Sequence, residues 1–315
     1  MRELLIGEYI RERRKDLGLT QINLCEGLCE PSTLCRLERG VHAPSSGLVN
    51  PLLQRLGLPG GRFFALLNEN EAAVEALQKE IRADEIRFRK AAEDMKPEIR
   101  KEALEKLAQL ENLAGKDDKI VRQFILGARV SLGGLDGPYS FADRLNILMD
   151  AIRLTVPRFD LTQINSKRYS EEEIKLINQI AVTYKKAEER PQAIDIYRQL
   201  LAYIEENNQE LPGYVVQFCL INQNYAIALC LEKRYEDAIK LAERGRKVCI
   251  DYGNYQFLAG SLATLAECYY FMGDIETSTK LYRQAYSIYD VVNDEENLAI
   301  IRTEMKERLG LDVPY

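Results

Sequence analysis

The sequence predicts an all-α protein: a small five-helix head followed by an array of antiparallel helix pairs. Three observations carry that expectation. Apolar residues recur at three- and four-residue spacing along most of the chain, and no stretch alternates convincingly with a period of two. Helix start and stop signals punctuate the sequence at short intervals. Three C-terminal stretches also share one spacing of small and bulky residues. Composition agrees, since 315 residues with 46% apolar and 29% charged make a folded chain of two or three domains.

The head is read element by element. Residues 4–17 form a first helix with Ile6, Ile10 and Leu17 on its apolar face; Arg11, Arg13, Arg14 and Lys15 decorate the rest and suit a phosphate backbone or solvent. Thr20 is an N-cap and Gln21 opens the second helix, whose apolar stripe is Leu24 and Leu28. Gly27-Leu28-Cys29 closes it in a turn. Glu30 then caps a third helix with Pro31 at its first position, where the missing N–H costs nothing. Leu34 and Leu37 point inward, Ser32, Thr33 and Arg36 outward, and Gly40 stops the helix. Ser45 or Ser46 caps a fourth helix bearing Leu48, Leu52, Leu53 and Leu56. A turn over 57–61 leads to a fifth, Arg62–Leu67.

This head resembles the helix-turn-helix of lambda-repressor-like, Xre-type regulators. Leu19, Thr20, Gln21, Leu24, Ser32, Thr33, Leu34, Arg36, Leu37, Glu38 and Gly40 all match that pattern. The shortened Gly27-Leu28-Cys29 turn is similar to that of peptide-pheromone receptors of Gram-positive bacteria, which join such a head to a tetratricopeptide-like array. The resemblance implies DNA binding in a major groove by Gln21, Pro31, Ser32, Thr33, Arg36 and Arg39. Two positions depart from the family. Glu30 stands where Ser or Thr is usual and would repel a phosphate, and Pro31 replaces a residue that commonly reads a base.

Residues 68–97 read as a connecting helix, rich in Glu, Lys, Arg, Ala and Leu and broken at Pro97. From 98 to 315 helix follows helix, interrupted by the glycine-rich segment after Gly133 and by Pro157. Ser170 with Glu173 forms a capping box. Three units then carry tetratricopeptide-like spacing: Ile180-Ala181, Tyr184, Ala193, Tyr197; then Tyr225-Ala226, Leu229, Ala238, Ala242; then Leu265-Ala266, Tyr269, Ser278, Tyr282. Such repeats stack into a right-handed helical superhelix with a concave wall suited to an extended peptide. Positions on the first helices that packing leaves over are Asn178, Val182 and Lys185, then Gln223, Asn224 and Ile227, then Thr264, Glu267 and Tyr270. Amides can grip a peptide backbone while apolar neighbours read side chains. The resemblance implies the same use of asparagines, although ordinary inter-helix hydrogen bonding is the alternative.

Charge and cysteines bound the function further. The chain holds 43 basic and 49 acidic residues, but residues 1–67 carry nine basic against seven acidic. A mildly basic head before an acidic array fits a DNA reader joined to a sensor. Nothing reads as a signal peptide or an uninterrupted apolar span, and seven scattered cysteines suit reduced thiols, so a cytoplasmic protein is expected. Cys25, Cys29, Cys35 and His42 lie close in sequence, yet their spacing matches no familiar zinc pattern, and no cofactor is expected. No phosphate loop, nucleophile elbow or dinucleotide fingerprint appears, which argues against an enzyme. The expected protein is a homodimeric regulator on a two-fold DNA operator, its C-terminal helix near Glu295–Leu309 contributing dimer contacts and a short peptide altering the dimer geometry. Two rivals remain: an array that docks a protein partner, and an anti-activator scaffold whose head has lost DNA binding.

Overall fold

The computed structural model describes residues 6–41, 46–59, 69–115, 117–133, 139–207 and 213–311. Among these the secondary structure is α-helical, with a 3-10 turn at Ile164–Ser166 and no strand. Two compact units are interleaved along the chain. One comprises Met1–Ala83, Glu102–Ile180 and Ala202–Pro212; the other comprises Asp84–Lys101, Ala181–Leu201 and Gly213–Tyr315.

The first unit opens with α1 (Ile6–Asp16), α2 (Gln21–Cys25), α3 (Pro31–Glu38) and α4 (Ser46–Arg55). Their buried core is Ile10, Leu24, Cys25, Leu34, Leu37, Val49, Leu52, Leu53, Leu56 and Leu58, so each apolar stripe faces inward as its spacing predicts. Removing one such leucine side chain costs roughly 2–5 kcal/mol. Thr20 caps α2 by accepting from Asn23 N–H, whereas Glu30 occupies the N-cap position of α3 without a side-chain cap bond. Pro31 relieves that lack, because one of the helix's orphan donors is missing. Gly40, at φ +68°, ends α3 in a left-handed turn. The expected fifth head helix at Arg62–Leu67 lies outside the described residues, as do His42, Ser45 and the side chain of Ser46, on which the expected cap of α4 rests.

The rest of this unit comes from the start of α5 (Glu69–Lys90), the end of α6 (Lys96–Leu113), α7 (Lys119–Leu132), α8 (Phe141–Thr155), the start of α9 (Glu171–Lys186) and the end of α10 (Arg190–Asn207). The break expected at Pro97 falls earlier, between Lys90 and Lys96, which leaves Pro97 in the first turn of α6 where a proline is tolerated. α8 stops at Thr155, before the residue that Pro157 forces out of helical geometry. Asp118 caps α7, a Ser140–Asp143 box caps α8, and Ser170 with Glu173 opens α9 as expected.

In the second unit α11 (Tyr214–Leu231), α12 (Tyr235–Asp251), α13 (Tyr255–Phe271), α14 (Ile275–Val291) and α15 (Glu295–Leu309) each pack on the next, and α11 also meets α13. The small positions of the repeat pattern, Ala193, Ala226, Ala238, Ala242, Ala266 and Ser278, are all buried. Ser278 serves as an alanine because its Oγ donates to the Ala266 carbonyl at 2.8 Å. α11 is long and apolar enough to cross a membrane by length and composition. Phe218, Cys219, Ile221, Ala226, Ala228, Leu229 and Cys230 of this helix are buried within the repeats, and Asn222 donates to the Leu241 carbonyl at 2.8 Å. The inter-helix turns share a left-handed residue at Lys233, Gly253, Gly273 and Asn293, twenty residues apart. After each, a backbone N–H reaches back five residues, as Asp274 does to Tyr269 at 3.0 Å. Lys233 and Asn293 hold this conformation without the freedom of glycine.

Candidate DNA-binding face and ligand wall

The outer face of α3 is built by helical spacing alone. Ser32, Arg36 and Arg39 stand at i, i+4 and i+7, so they form one exposed stripe, with Pro31 exposed beside it. Thr33 is half-buried. Gln21 is also half-buried, and its amide donates to Glu38 Oε2 at 2.8 Å. Gln21 and Arg39 line a shallow depression together with Arg11 and Lys15 of α1. A stripe of one hydroxyl and two guanidinium groups, flanked by further cations, can meet base edges and phosphates.

Beneath that face lies a buried ion pair. Arg14 Nε and Nη2 donate to Glu38 Oε1 and Oε2 at 2.6 and 2.9 Å, and Arg14 Nη1 donates to the Leu19 carbonyl at 2.7 Å. Burial disfavours the Glu38 carboxylate, but the bonds from Arg14 and Gln21 outweigh it and hold the carboxyl below its usual range. Arg14 is therefore an internal strut and not one of the outward cations expected of α1. Arg13 likewise turns back to donate to the Leu56 carbonyl at 3.3 Å, which leaves Arg11 and Lys15 exposed. Burial pushes the Cys25 thiol up and the Cys29 thiol up to about 11, so both stay protonated and make poor nucleophiles or metal ligands.

A second buried network in the same unit was not foreseen from the sequence. Arg55, the last residue of α4, donates through Nη1 to the Leu24 and Glu26 carbonyls at 3.1 and 2.8 Å. Its Nη2 donates to the Thr155 carbonyl at 2.9 Å and to Glu173 Oε1 at 2.7 Å. Thr155 Oγ1 donates to the same Glu173 oxygen at 2.6 Å, and Gln123 Nε2 donates to Thr155 Oγ1 at 2.6 Å. Arg55 and Glu173 are 3% and 0% exposed, so this pair is desolvated and depends on that full set of acceptors and donors. Around it, Glu26 accepts from Arg158 and Lys167. Gly27 lies so close to the end of α8 that a Cβ would sit 2.0 Å from the Thr155 carbonyl oxygen, and its φ is +76°. The turn between α2 and α3 is thereby fixed to the α8–α9 corner. Glu173 carried one legible signal, its place in the capping box; its partner lies 118 residues away.

In the second unit, Val182 and Lys185 on α9, Gln223, Asn224 and Ile227 on α11, and Glu267 and Tyr270 on α13 are half-buried. Lys185 Nζ donates to Asn224 Oδ1 at 3.2 Å. Burial, with repulsion from Lys186, pushes its ammonium down to about 8. Gln223 lies across Gly260, where a Cβ would meet its Nε2 at 1.9 Å, and the Gln223 Oε1 is buried without a partner. Thr264 is buried and donates to the Gly260 carbonyl of its own helix at 2.9 Å, so it packs helices and does not offer itself to a ligand. Asn178, in the first unit, is buried too. Burial removes both from the exposed positions expected of ligand-facing residues. Glu267 accepts from Arg308 of α15 at 2.8 Å, and the Arg308 guanidinium sits 5.8 Å from the Tyr270 ring centroid.

Comparison with known proteins bears on this arrangement. The tetratricopeptide-repeat family model matches residues 217–290. No curated protein matches the sequence significantly. Among solved structures, Bacillus thuringiensis PlcR in complex with the peptide PapR7 and DNA is 18% identical, with a TM-score of 0.59 over 94% of this chain and 98% of PlcR. The apo competence regulator ComR from Streptococcus vestibularis is 15% identical, with a TM-score of 0.51 over 96% and 97% of the two chains. ComR from S. thermophilus, in complex with DNA and its signalling peptide ComS, is 13% identical, with a TM-score of 0.50 over 97% and 100%. This chain thus has the fold of those regulators, a helix-turn-helix head joined to tetratricopeptide-like helical repeats.

Proposed function

We propose that the chain is a cytoplasmic transcriptional regulator whose head binds a double-stranded DNA operator and whose repeats bind a short signalling peptide. The observation that carries this reading is the exposed Ser32–Arg36–Arg39 stripe on α3, in the same chain as the half-buried amides of Gln223 and Asn224 on α11, where Gln223 Oε1 has no partner among the described residues. PlcR and ComR, which share the fold, were captured with DNA and a peptide together, and that supports assigning both partners here. The domain limits we propose are 1–67 for the head, 68–97 for the connector and 98–315 for the sensor. Two copies acting on a two-fold operator would supply affinity that one small head lacks, with α15 as the dimer contact. Chemistry on a substrate forms no part of this reading.

The exposed Glu30 at the start of α3 favours a second reading, a head with weakened DNA binding whose array docks a protein partner. A titration of the purified protein on the DNA upstream of its own gene, at two salt concentrations, separates them. Sequence-preferring binding with a steep salt slope supports the regulator; equal affinity for random DNA, with and without added peptides, supports the docking scaffold.

A further inference from the structure

We propose that the Lys185 ammonium is a receptor for a carboxylate carried by the ligand of the repeat wall; this rests on the peptide-binding reading above. Lys185 sits in the last turn of α9 and donates to Asn224 Oδ1 on α11 at 3.2 Å. No Asp or Glu among the described residues forms an ion pair with it. An ammonium has three N–H donors, and a single neutral amide oxygen answers one of them. Withdrawing such a charge from water without a counter-charge is unfavourable, and the depression of its basicity to about 8 reflects that burial. The fold therefore holds a cation at a cost that an incoming anion would offset.

The same unit contains cations treated differently. Arg308 is matched by Glu267 and Glu304 at 2.8 and 3.3 Å, and Arg190 has Glu188 and Glu232 at 3.7 and 3.6 Å. Acidic residues are abundant here, so a partner for Lys185 was available to the sequence and is not supplied. Helical spacing places half-buried Val182 one turn before Lys185 and Ile227 one turn after Asn224. Apolar flanks lower the local dielectric and strengthen a charge pair formed there. The anionic groups of an unmodified peptide are carboxylates, either at its C-terminus or on Asp and Glu side chains. Both share the chemistry that Lys185 would recognise.

The test uses the full-length protein and three pools of random heptapeptides, with retained peptides quantified by mass spectrometry. The first pool has free C-termini and no Asp or Glu; the second is the same but amidated; the third is amidated with one internal Asp. Wild-type protein is expected to retain the first or the third pool at least tenfold above the second. Whichever wins identifies the source of the carboxylate. Lys185→Met is expected to lower retention of the preferred pool to that of the second pool, with a thermal midpoint no lower than wild type because a half-buried charge without a counter-charge has been removed. Equal retention of all three pools by wild type overturns the carboxylate receptor and leaves peptide binding standing. Retention of none overturns both. An unchanged preference in Lys185→Met also overturns the proposal, and Lys185→Arg checks it by restoring the preference.

Discussion

Polar groups are finished in the head and unfinished in the wall. In the head Arg14 meets Glu38 through two bonds and Leu19 through a third, while Arg55 reaches three carbonyls and a carboxylate. In the second unit Lys185 has one neutral acceptor, and Gln223 Oε1 and Asn222 Oδ1 are buried without a partner. Saturated networks in a low dielectric specify one geometry and resist change, whereas unsatisfied donors and acceptors are stabilised by whatever completes them. The contrast separates a region whose geometry is fixed by its own bonds from one with bonding capacity left over, which is what the proposed peptide site requires.

The comparison breaks most sharply at Glu173. Its replacement by Ala leaves the Arg55 guanidinium buried without a counter-charge, and we expect a loss of about 3–5 kcal/mol in urea unfolding. A loss below about 1 kcal/mol would mean that water already reaches the pair. Arg36→Ala is expected to weaken operator binding by about 1–3 kcal/mol at an unchanged unfolding midpoint, since Arg36 is exposed. Wild-type affinity in that variant would remove Arg36 from the reading face. A third effect is acid-dependent. The folded Glu38 carboxyl lies below its ordinary range, so its contribution is fully present above the unfolded value of about 4.3 and fades as pH falls through the lower folded value. Unfolding free energies compared between pH 7 and pH 3 should fall less steeply for Glu38→Gln than for wild type. The smallest change expected is a gain: Lys233→Gly removes a left-handed lysine and should raise stability by about 0.5–1 kcal/mol. A drop in midpoint would show that the lysine side chain contributes more than its backbone costs.

The head was legible because its signals are local. Thr20, Gly27, Pro31 and Gly40 each act on their own few residues, and the leucines at three- and four-residue spacing found the core they predicted. The repeat spacing was legible for the same reason, since Ala226 and Ala238 reveal a close helix contact without naming the partner. The wall was read less well. Spacing places Thr264 on the first helix of a pair, but whether its hydroxyl faces a ligand or the Gly260 carbonyl depends on neighbours that periodicity does not specify. Arg14 and Arg55 posed the same difficulty, because a long cation on an amphipathic helix looks solvated until a distant carboxylate is placed beside it. A left-handed lysine at 233 carries no residue-type signal at all.

The evenly spaced turns have one more implication. Between them α12, α13 and α14 are each 17 residues long, so the start of every helix stands in fixed phase with the last. One added residue inside α13 would rotate all later positions by about 100° and carry Ser278 and Tyr282 off their packing face. A whole forty-residue block cut from joint to joint would disturb neither neighbour. The array can therefore lengthen or shorten by copying its own units, while tolerating almost no change within one.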